Sequence, residues 1–349
     1  MSSPHFPSPV EEQILEESPT STLVGADQPD VIAGRSLTQL AWARLKRDRT
    51  AMIALSFIVI ICLLAFTAPI VVRIFNIDPY QPDPTVLDDA TGGLPTGWLQ
   101  SGISWNHPLG AEPGTGRDIA GMLLYGARIS LTVATISTVL VVVLGVIIGT
   151  IAGYLGGRTD TVIGRFMDLL LAFPLLLLLL ALSTPLTDRI EELSFGGWHP
   201  IAKGNPARIV YLILVFSLFG WPYLARIVRG QVISLREREF VESAVAMGSS
   251  SRRIIFRELI PNLWAPILVY ATLALPTFIA AEAALSFLGV GINPPEVTWG
   301  KMLSQSVTYY TSVPTYLFVP GTLLFLVVLA FNIFGDAVRD ALDPRAGRV

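Results

Sequence analysis

Charge is scarce in this chain. Only 15% of its 349 residues are Asp, Glu, Lys or Arg, against about 25% in an average soluble domain. Apolar residues reach 52% and the mean hydropathy is +0.59, a membrane composition that excludes an ordinary soluble domain. Cysteine is nearly missing. Cys62 stands alone in an apolar run, which excludes a disulfide framework and a cysteine-rich metal site without fixing a redox compartment. The histidines His5, His107 and His199 are scattered through polar segments and form no metal-binding cluster. A phosphate loop GxxxxGK[ST] is absent, since the one Gly-Lys pair, Gly300-Lys301, runs into Met302. HExxH, EF-hand and nucleophile-elbow patterns are absent as well. Carboxylates inside the apolar runs are few, which argues against proton relays and ion-coupled carriers, because those place acids near the midplane. If such a chain moves a solute uphill, another chain delivers the energy. Residues 1–34 carry Glu11, Glu12, Glu16, Glu17, Asp27 and Asp30, with no basic residue and no apolar core. This excludes a secretion signal and predicts a disordered acidic tail.

What is present is a series of apolar runs. The basic cluster Arg44, Lys46, Arg47 and Arg49 precedes the first, Thr50–Val72, which exceeds the roughly 20 helical residues that cross a ~30 Å hydrocarbon core. Pro69 is expected to bend or end it. Five further spans are predicted at Ile129–Leu155, Thr161–Ser183, Ile209–Leu224, Trp264–Leu288 and Tyr316–Phe334. The third contains Pro174 and an unbroken Leu175–Leu180; the fourth is the shortest and ends near Gly220-Trp221-Pro222. The reading is an all-α membrane protein of six helices. With the amino terminus in the cytoplasm, 17 of the 24 Lys and Arg residues fall on that side, as the positive-inside bias requires. Both termini and the segment 236–262 are then cytoplasmic, and an odd number of spans would have divided the basic stretches. Three outer loops follow, at 73–128, 184–208 and 289–315. The first contains Trp98 and Trp105 and is expected to fold over the outer mouth, with its tryptophans at headgroup level. The organisation is thus an acidic tail (1–34), a basic segment with the first span (35–72), an outer loop (73–128), a five-span core (129–335) and a cytoplasmic tail (336–349).

Single positions narrow the chemistry. Glu282 lies in Ala280-Ala281-Glu282-Ala283-Ala284. A rise of ~1.5 Å per residue from Trp264 sets it ~27 Å along its helix, near the outer surface. There the midplane penalty of about 2.5–3.5 kcal/mol is reduced. It is read as a structural carboxylate bonded to a neighbouring helix or the outer loop, with a place in an outer gate as the alternative. Gly145, Gly149 and Gly153 leave one helix face without side chains and predict a close helix approach. Asp168 follows Arg165 by a turn near a span end, where pairing or snorkelling accounts for it.

The longest charge-rich interval between apolar runs is 236–262, REREFVESAVAMGSSSRRIIFRELIPN. Leu235 to Val245 suit a helix, with Ala244, Met247 and Gly248 on a small-residue side. Gly248 and Ser249 to Ser251 interrupt it. Ser251 to Leu259 suit a second short helix with Ile254, Ile255 and Leu259 on one face, and Pro261 stops that helix or opens the next span. Two short helices bent at Gly248 across the bundle end would form a charged knob suited to a socket on another protein. An amphipathic segment drawn to lipid headgroups by Arg252, Arg253 and Arg257 fits the same residues, and they leave both readings open.

Glu242-Ser243-Ala244, Gly248 and Ile260-Pro261 resemble the EAA motif of ABC-importer permeases, a Glu-Ala-Ala followed by Gly and then Ile-x-Leu-Pro; Ser243 departs from it. The flanking REREFVESA resembles the dipeptide, oligopeptide and nickel group. His107-Pro108-Leu109-Gly110, Gly116-Arg117-Asp118 and Tyr125-Gly126-Ala127-Arg128 resemble that group's outer-loop signature, although the 110–116 turn is a residue longer. Leu285 to Gly289 with Pro294-Pro295 and Trp299-Gly300, and Gly335-Asp336 with Arg339 to Arg345, resemble its C-type permease. The resemblance spans about residues 40 to 347.

It implies a type I ABC-importer permease fold with a cytoplasmic coupling helix, in the plasma membrane of a prokaryote. Implied partners are a homologous B-type permease, two cytoplasmic ABC ATPases, an extracytoplasmic substrate-binding protein and membrane lipid, but no nucleic acid. The chain would be no enzyme and bind no cofactor, ATP and Mg being used by the ATPases. The family motif implies that Glu242, Ser243, Ala244, Met247, Gly248, Ile260 and Pro261 meet an ATPase, with Arg252, Arg253 and Arg257 as electrostatic support. Peptide import is the expected function. The alternatives are the same machine carrying nickel or another small solute, and an autonomous channel or secondary carrier.

Overall fold

The computed structural model describes residues 37–75, 77–193 and 204–342. The acidic tail, the middle of the 184–208 loop and Asp343-Pro344-Arg345 lie outside the described residues. Helix α1 (Leu37–Leu45) leads to α2 (Arg49–Phe66) and α3 (Ala68–Phe75). Asp48 caps α2, its carboxylate accepting the N–H groups of Thr50 at 2.9 Å and Ala51 at 3.1 Å. The expected continuous run to Val72 breaks at Thr67. Pro69 falls in the first turn of α3, where its missing N–H costs no helical bond.

Helix α4 (Ile119–Leu155) starts ten residues before the predicted second span. Asp118 is the reason: its carboxylate accepts the Gly121 N–H at 2.8 Å and caps the helix. The third run is broken. Helices α5 (Gly157–Leu171) and α6 (Leu175–Glu192) meet at a bend of 84°, with Pro174 standing before α6. Asp168 pairs with Arg226 at 2.7 Å, two helices further along the chain and not with Arg165. That helix, α7 (Asn205–Leu235), overturns the expected stop at Pro222, which is buried inside it. Neighbouring helices compensate a proline within a membrane bundle. The fifth span belongs to the helical run α9 (Ser251–Phe287) and the sixth to α11 (Pro314–Leu342). Between α7 and α9 lies the short α8 (Glu239–Ala246), and α10 (Trp299–Ser306) precedes α11. Among the described residues, five helices are long and apolar enough to cross a membrane, six if the bent pair is one span.

The glycine face of α4 meets α7 directly. A side chain on Gly145 would strike Leu224, one on Gly149 the Ala225 backbone, and one on Gly153 the Arg229 carbonyl and Val232. The two helices therefore run along each other in the same direction at backbone distance. Arg229 and Asp160 pin α5 to the same seam through two hydrogen bonds.

The two ends of the bundle differ. At one end Leu45, Ala51 and Val338 pack together, and Trp42, Trp264 and Leu342 line one cavity, so α1, the end of α11 and the start of α9 share this basic end. The other, the loop end, is closed by residues 77–118 and 288–313. There a hairpin of two-residue strands pairs β1 (Leu87–Asp88) with β2 (Leu94–Pro95). Glu112 is 3% exposed and accepts from Arg117 at 2.6 and 3.0 Å and from the Tyr316 hydroxyl at 2.7 Å. His107 bridges Asp118 (2.9 Å) and Asp83 (3.4 Å). Burial pushes the Asp118 carboxyl above its ordinary value, while a hydrogen bond from Thr85 holds Asp83 below it. The Trp299 indole donates to the Leu123 carbonyl at 3.1 Å. Trp98 and Trp105 stand exposed on the loop.

Candidate coupling site

The turn after α7 is tied down by Arg236, whose Nη1 lies 3.4 Å from the Gly153 carbonyl. Helix α8 carries Glu239 and Glu242 in its first turn, where carboxylates suit the positive end of the helix dipole. It ends at Gly248. The Gly248 N–H bonds the Val245 carbonyl at 2.9 Å and the Ser249 N–H bonds the Ala244 carbonyl at 3.0 Å, with Gly248 at φ 76°. This paired closure needs a left-handed residue, which glycine supplies without a Cβ clash. Ser250 then caps α9, its Oγ accepting the Arg253 N–H at 3.4 Å.

The structure corrects the expected pair of short helices. Leu235 belongs to α7, and only α8 is short. The second element does not stop at Leu259 but runs on as α9, π-helical over Ile254–Leu259 and 3-10 over Ile260–Leu263. Pro261 offers no N–H to the turn before it, and the widened and then tightened turns absorb the missing bond.

One face of this element is locked into the bundle. Val241, Ala244, Ile254, Ile255, Leu259 and Leu263 are buried against Val146, Leu224, Val228 and Val232. Ala244 is 5% exposed and belongs to this buried cluster. Glu242, Ser243, Met247, Gly248, Arg252, Arg253, Arg257 and Pro261 are exposed, and Ile260 is half-buried. The three arginines make no ion pair among the described residues, and with Ser250 and Phe256 they line an open hollow of about 570 Å³.

Sequence reasoning missed three apolar members of the exposed face: Phe240, Val245 and Phe256. The signal was available. Phe240, Val241, Ala244 and Val245 on an eight-residue helix cover more than one buried stripe, so some had to face outward. Met247 is 79% exposed. Large apolar side chains grouped beside cations mark a surface made for a partner.

Glu282 stands apart from this group. It is fully buried at the loop end and accepts from the Ser130 hydroxyl at 2.6 Å and the Ser286 hydroxyl at 2.7 Å, which joins α9 to α4. The Ser286 Oγ also lies 3.3 Å from the Ile292 N–H.

Residues 145–348 match the family described as binding-protein-dependent transport system inner membrane component. Residues 36–95 match the N-terminal TM domain of oligopeptide transport permease C. This chain belongs to the binding-protein-dependent transport permeases. A dipeptide transport system permease protein, DppC, of Alkalihalophilus pseudofirmus is 36% identical over 87% of this chain and 89% of the relative. The oligopeptide transport system permease protein OppC of Bacillus subtilis is 35% identical over 89% and 90%. The glutathione transport system permease protein GsiD of Escherichia coli is 35% identical over 87% and 89%. In fold, this permease resembles the solved MetNI methionine ABC transporter, with TM-score 0.50 and 20% identity over 64% of this chain and 98% of the other. The chain is thus a multi-pass permease subunit of the ABC-importer class, and its exposed α8–α9 element lies wholly within the matched 145–348 region.

Proposed function

We propose that this permease forms half of the translocation pathway of an ATP-driven peptide importer and receives work through the α8–α9 element. One observation carries the coupling role: Phe240, Met247 and Phe256 are exposed among unpaired arginines on an element whose opposite face is fixed in the bundle. A bilayer interface takes cations and apolar side chains too, but the position of this element within the matched permease region supports an ATPase cleft. Glu242, Ser243, Met247, Gly248 and Pro261 complete that contact, while Ala244 sits in the buried cluster beneath it. Because Ala244, Ile254 and Leu259 share one buried cluster with Val146 of α4 and Val228 of α7, a push on the knob is passed to the α4–α7 seam. Two cytoplasmic ATPases use the ATP and Mg, a B-type permease supplies the other half of the pathway, and an extracytoplasmic binding protein delivers substrate. Both termini and the basic end face the cytoplasm, in line with the positive-inside bias. The relatives named for dipeptides, oligopeptides and glutathione support peptides as the cargo. Glu282 acts as a brace between α4 and α9.

Reconstitution tests this. The subunit alone in liposomes is expected neither to hydrolyse ATP nor to accumulate peptide; with its partner permease, ATPases and binding protein it accumulates peptide when ATP is added. Transport by the isolated subunit would overturn the assignment, and nickel uptake without peptide uptake would overturn the cargo.

A further inference from the structure

At the loop end a cleft of about 380 Å³ opens between α4, the start of α7 and the two loops that hold Tyr80 and Glu296. Its volume falls in the roughly 300–1,000 Å³ range of small-molecule sites. Arg128 and Glu296 both line it, together with Tyr80, Tyr125, Thr132 and Asn205. Two opposite charges facing one cavity would normally close on each other, yet neither makes an ion pair among the described residues. Arg128 makes no side-chain hydrogen bond there either, and Glu296 accepts only the Tyr80 hydroxyl, at 2.8 Å.

Both charges are held on fixed elements. Arg128 projects from α4 one turn after Tyr125, whose ring packs edge-on against Tyr80 at 5.4 Å. Glu296 stands two residues before Thr298, the cap of α10. Its loop is stapled to α7 by three bonds: Asn205 donates to the Asn293 carbonyl at 2.6 Å, accepts the Asn293 N–H at 2.9 Å, and Arg208 donates to the Gly291 carbonyl at 3.0 Å. The cleft is thus lined by a cation and an anion that make no ion pair among the described residues. That arrangement complements a small zwitterion, whose carboxylate takes the planar guanidinium fork and whose ammonium takes the free carboxylate oxygen.

We propose that this cleft is a contact site for the charged termini of a short peptide, Arg128 receiving the carboxylate and Glu296 the ammonium, with the tyrosine pair as the wall between them. The inference rests on the reading of this permease as a peptide importer. An exposed arginine near a span end also suits a lipid phosphate, and the experiment separates the two.

The complete importer, with binding protein and ATPases, is reconstituted carrying wild-type, Arg128→Gln, Arg128→Lys or Glu296→Gln permease. Maximal uptake is measured for one dipeptide with free termini, its C-amidated form and its N-acetylated form, in neutral phosphatidylcholine vesicles and in vesicles with anionic lipid. Taking each variant relative to wild type on the same ligand cancels the selectivity of the binding protein. Loss of a charge-assisted bond predicts about a tenfold drop for Arg128→Gln with the free peptide. Little drop is expected with the amidated one, and partial rescue by Arg128→Lys. Glu296→Gln should mirror this, sparing the acetylated peptide. Complex assembly and basal ATP hydrolysis are expected to stay unchanged. Equal losses on all three ligands, no loss at all, or a loss confined to anionic vesicles would overturn the site. Wild-type importer that takes up none of the peptides overturns the cargo reading and this site with it, whereas wild-type peptide uptake that survives both substitutions overturns the site alone.

Discussion

The two ends of this permease solve opposite problems. At the loop end, polar groups that could have faced water are buried and matched: Glu112 with Arg117 and Tyr316, His107 with Asp118, Glu282 with Ser130 and Ser286. At the basic end the arrangement is inverted. Arg252, Arg253 and Arg257 stand without ion partners among the described residues, and Phe240, Met247 and Phe256 face outward. Buried polar groups are expensive unless satisfied within the fold, and these loop-end clusters satisfy one another. Exposed apolar side chains beside unpaired cations are the mark of a surface completed by another protein. The difference teaches where to look for rigidity and where for coupling.

The comparison breaks first if the buried cluster can be removed without consequence. Glu112→Ala leaves the Arg117 guanidinium and the Tyr316 hydroxyl unmatched in a closed site and is expected to cost about 3–5 kcal/mol. Thermal unfolding of the purified permease in detergent, followed by tryptophan fluorescence, reads this as a large fall in midpoint. An unchanged midpoint would mean that the loop end is not the rigid half. Next in size is the seam between the ends. Gly149→Val drives a side chain into the Ala225 backbone, which cannot rotate away as a side chain can. About 1–3 kcal/mol is expected, the usual range for overpacking, with the same measurement as the check.

The sequence carried the membrane class, the glycine seam and the Gly248 turn, because each depends on local composition or on one residue's special backbone. Long-range matching was invisible. Glu112 meets Tyr316 across 204 residues, and nothing in the 110–116 turn announces a partner in the last span. The start of α4 was placed ten residues late because Gly121, Tyr125 and Arg128 dilute the apolar signal, although Asp118 was a readable cap. Pro222 reads as a stop because local chemistry alone treats an interior proline as a breaker, while the bundle around α7 tolerates it. Of the coupling surface, the charged and small residues were legible and the outward-facing aromatics were not. Apolar residues in an amphipathic helix are assigned to a core by default, and only the geometry of α8 distinguishes Val241 from Phe240.

A smaller effect is expected at Gly248. Ala in its place keeps the left-handed turn at a cost of roughly 1–2 kcal/mol, the penalty of a Cβ in that conformation. Space is not the obstacle, since a Cβ added to Gly248 meets no atom of the chain beyond its immediate neighbours within 4 Å. Gly248→Trp should therefore destabilise the isolated permease about as much as Gly248→Ala. It should weaken ATPase attachment far more, because only a partner occupies the volume that the indole needs. Equal attachment of the two variants, measured by co-purification, would remove the partner from that volume.

The smallest change in stability is expected where the functional loss is greatest. Met247→Ala and Phe256→Ala trim side chains that are 79% and 55% exposed, so the permease should unfold within about 0.5 kcal/mol of wild type. If these side chains enter an ATPase cleft, the double variant should lose ATP-driven uptake and release the ATPases, although the bundle is intact. A lipid-lying segment gives a different result. The double variant would then bind vesicles less tightly, yet keep its ATPases and its uptake. Measuring unfolding, ATPase retention and uptake on the same preparation separates the two, because Glu112→Ala is expected to move the first and this pair only the second and third. A pair that unfolds early would place Met247 and Phe256 with the core, and the contrast between the two ends would dissolve.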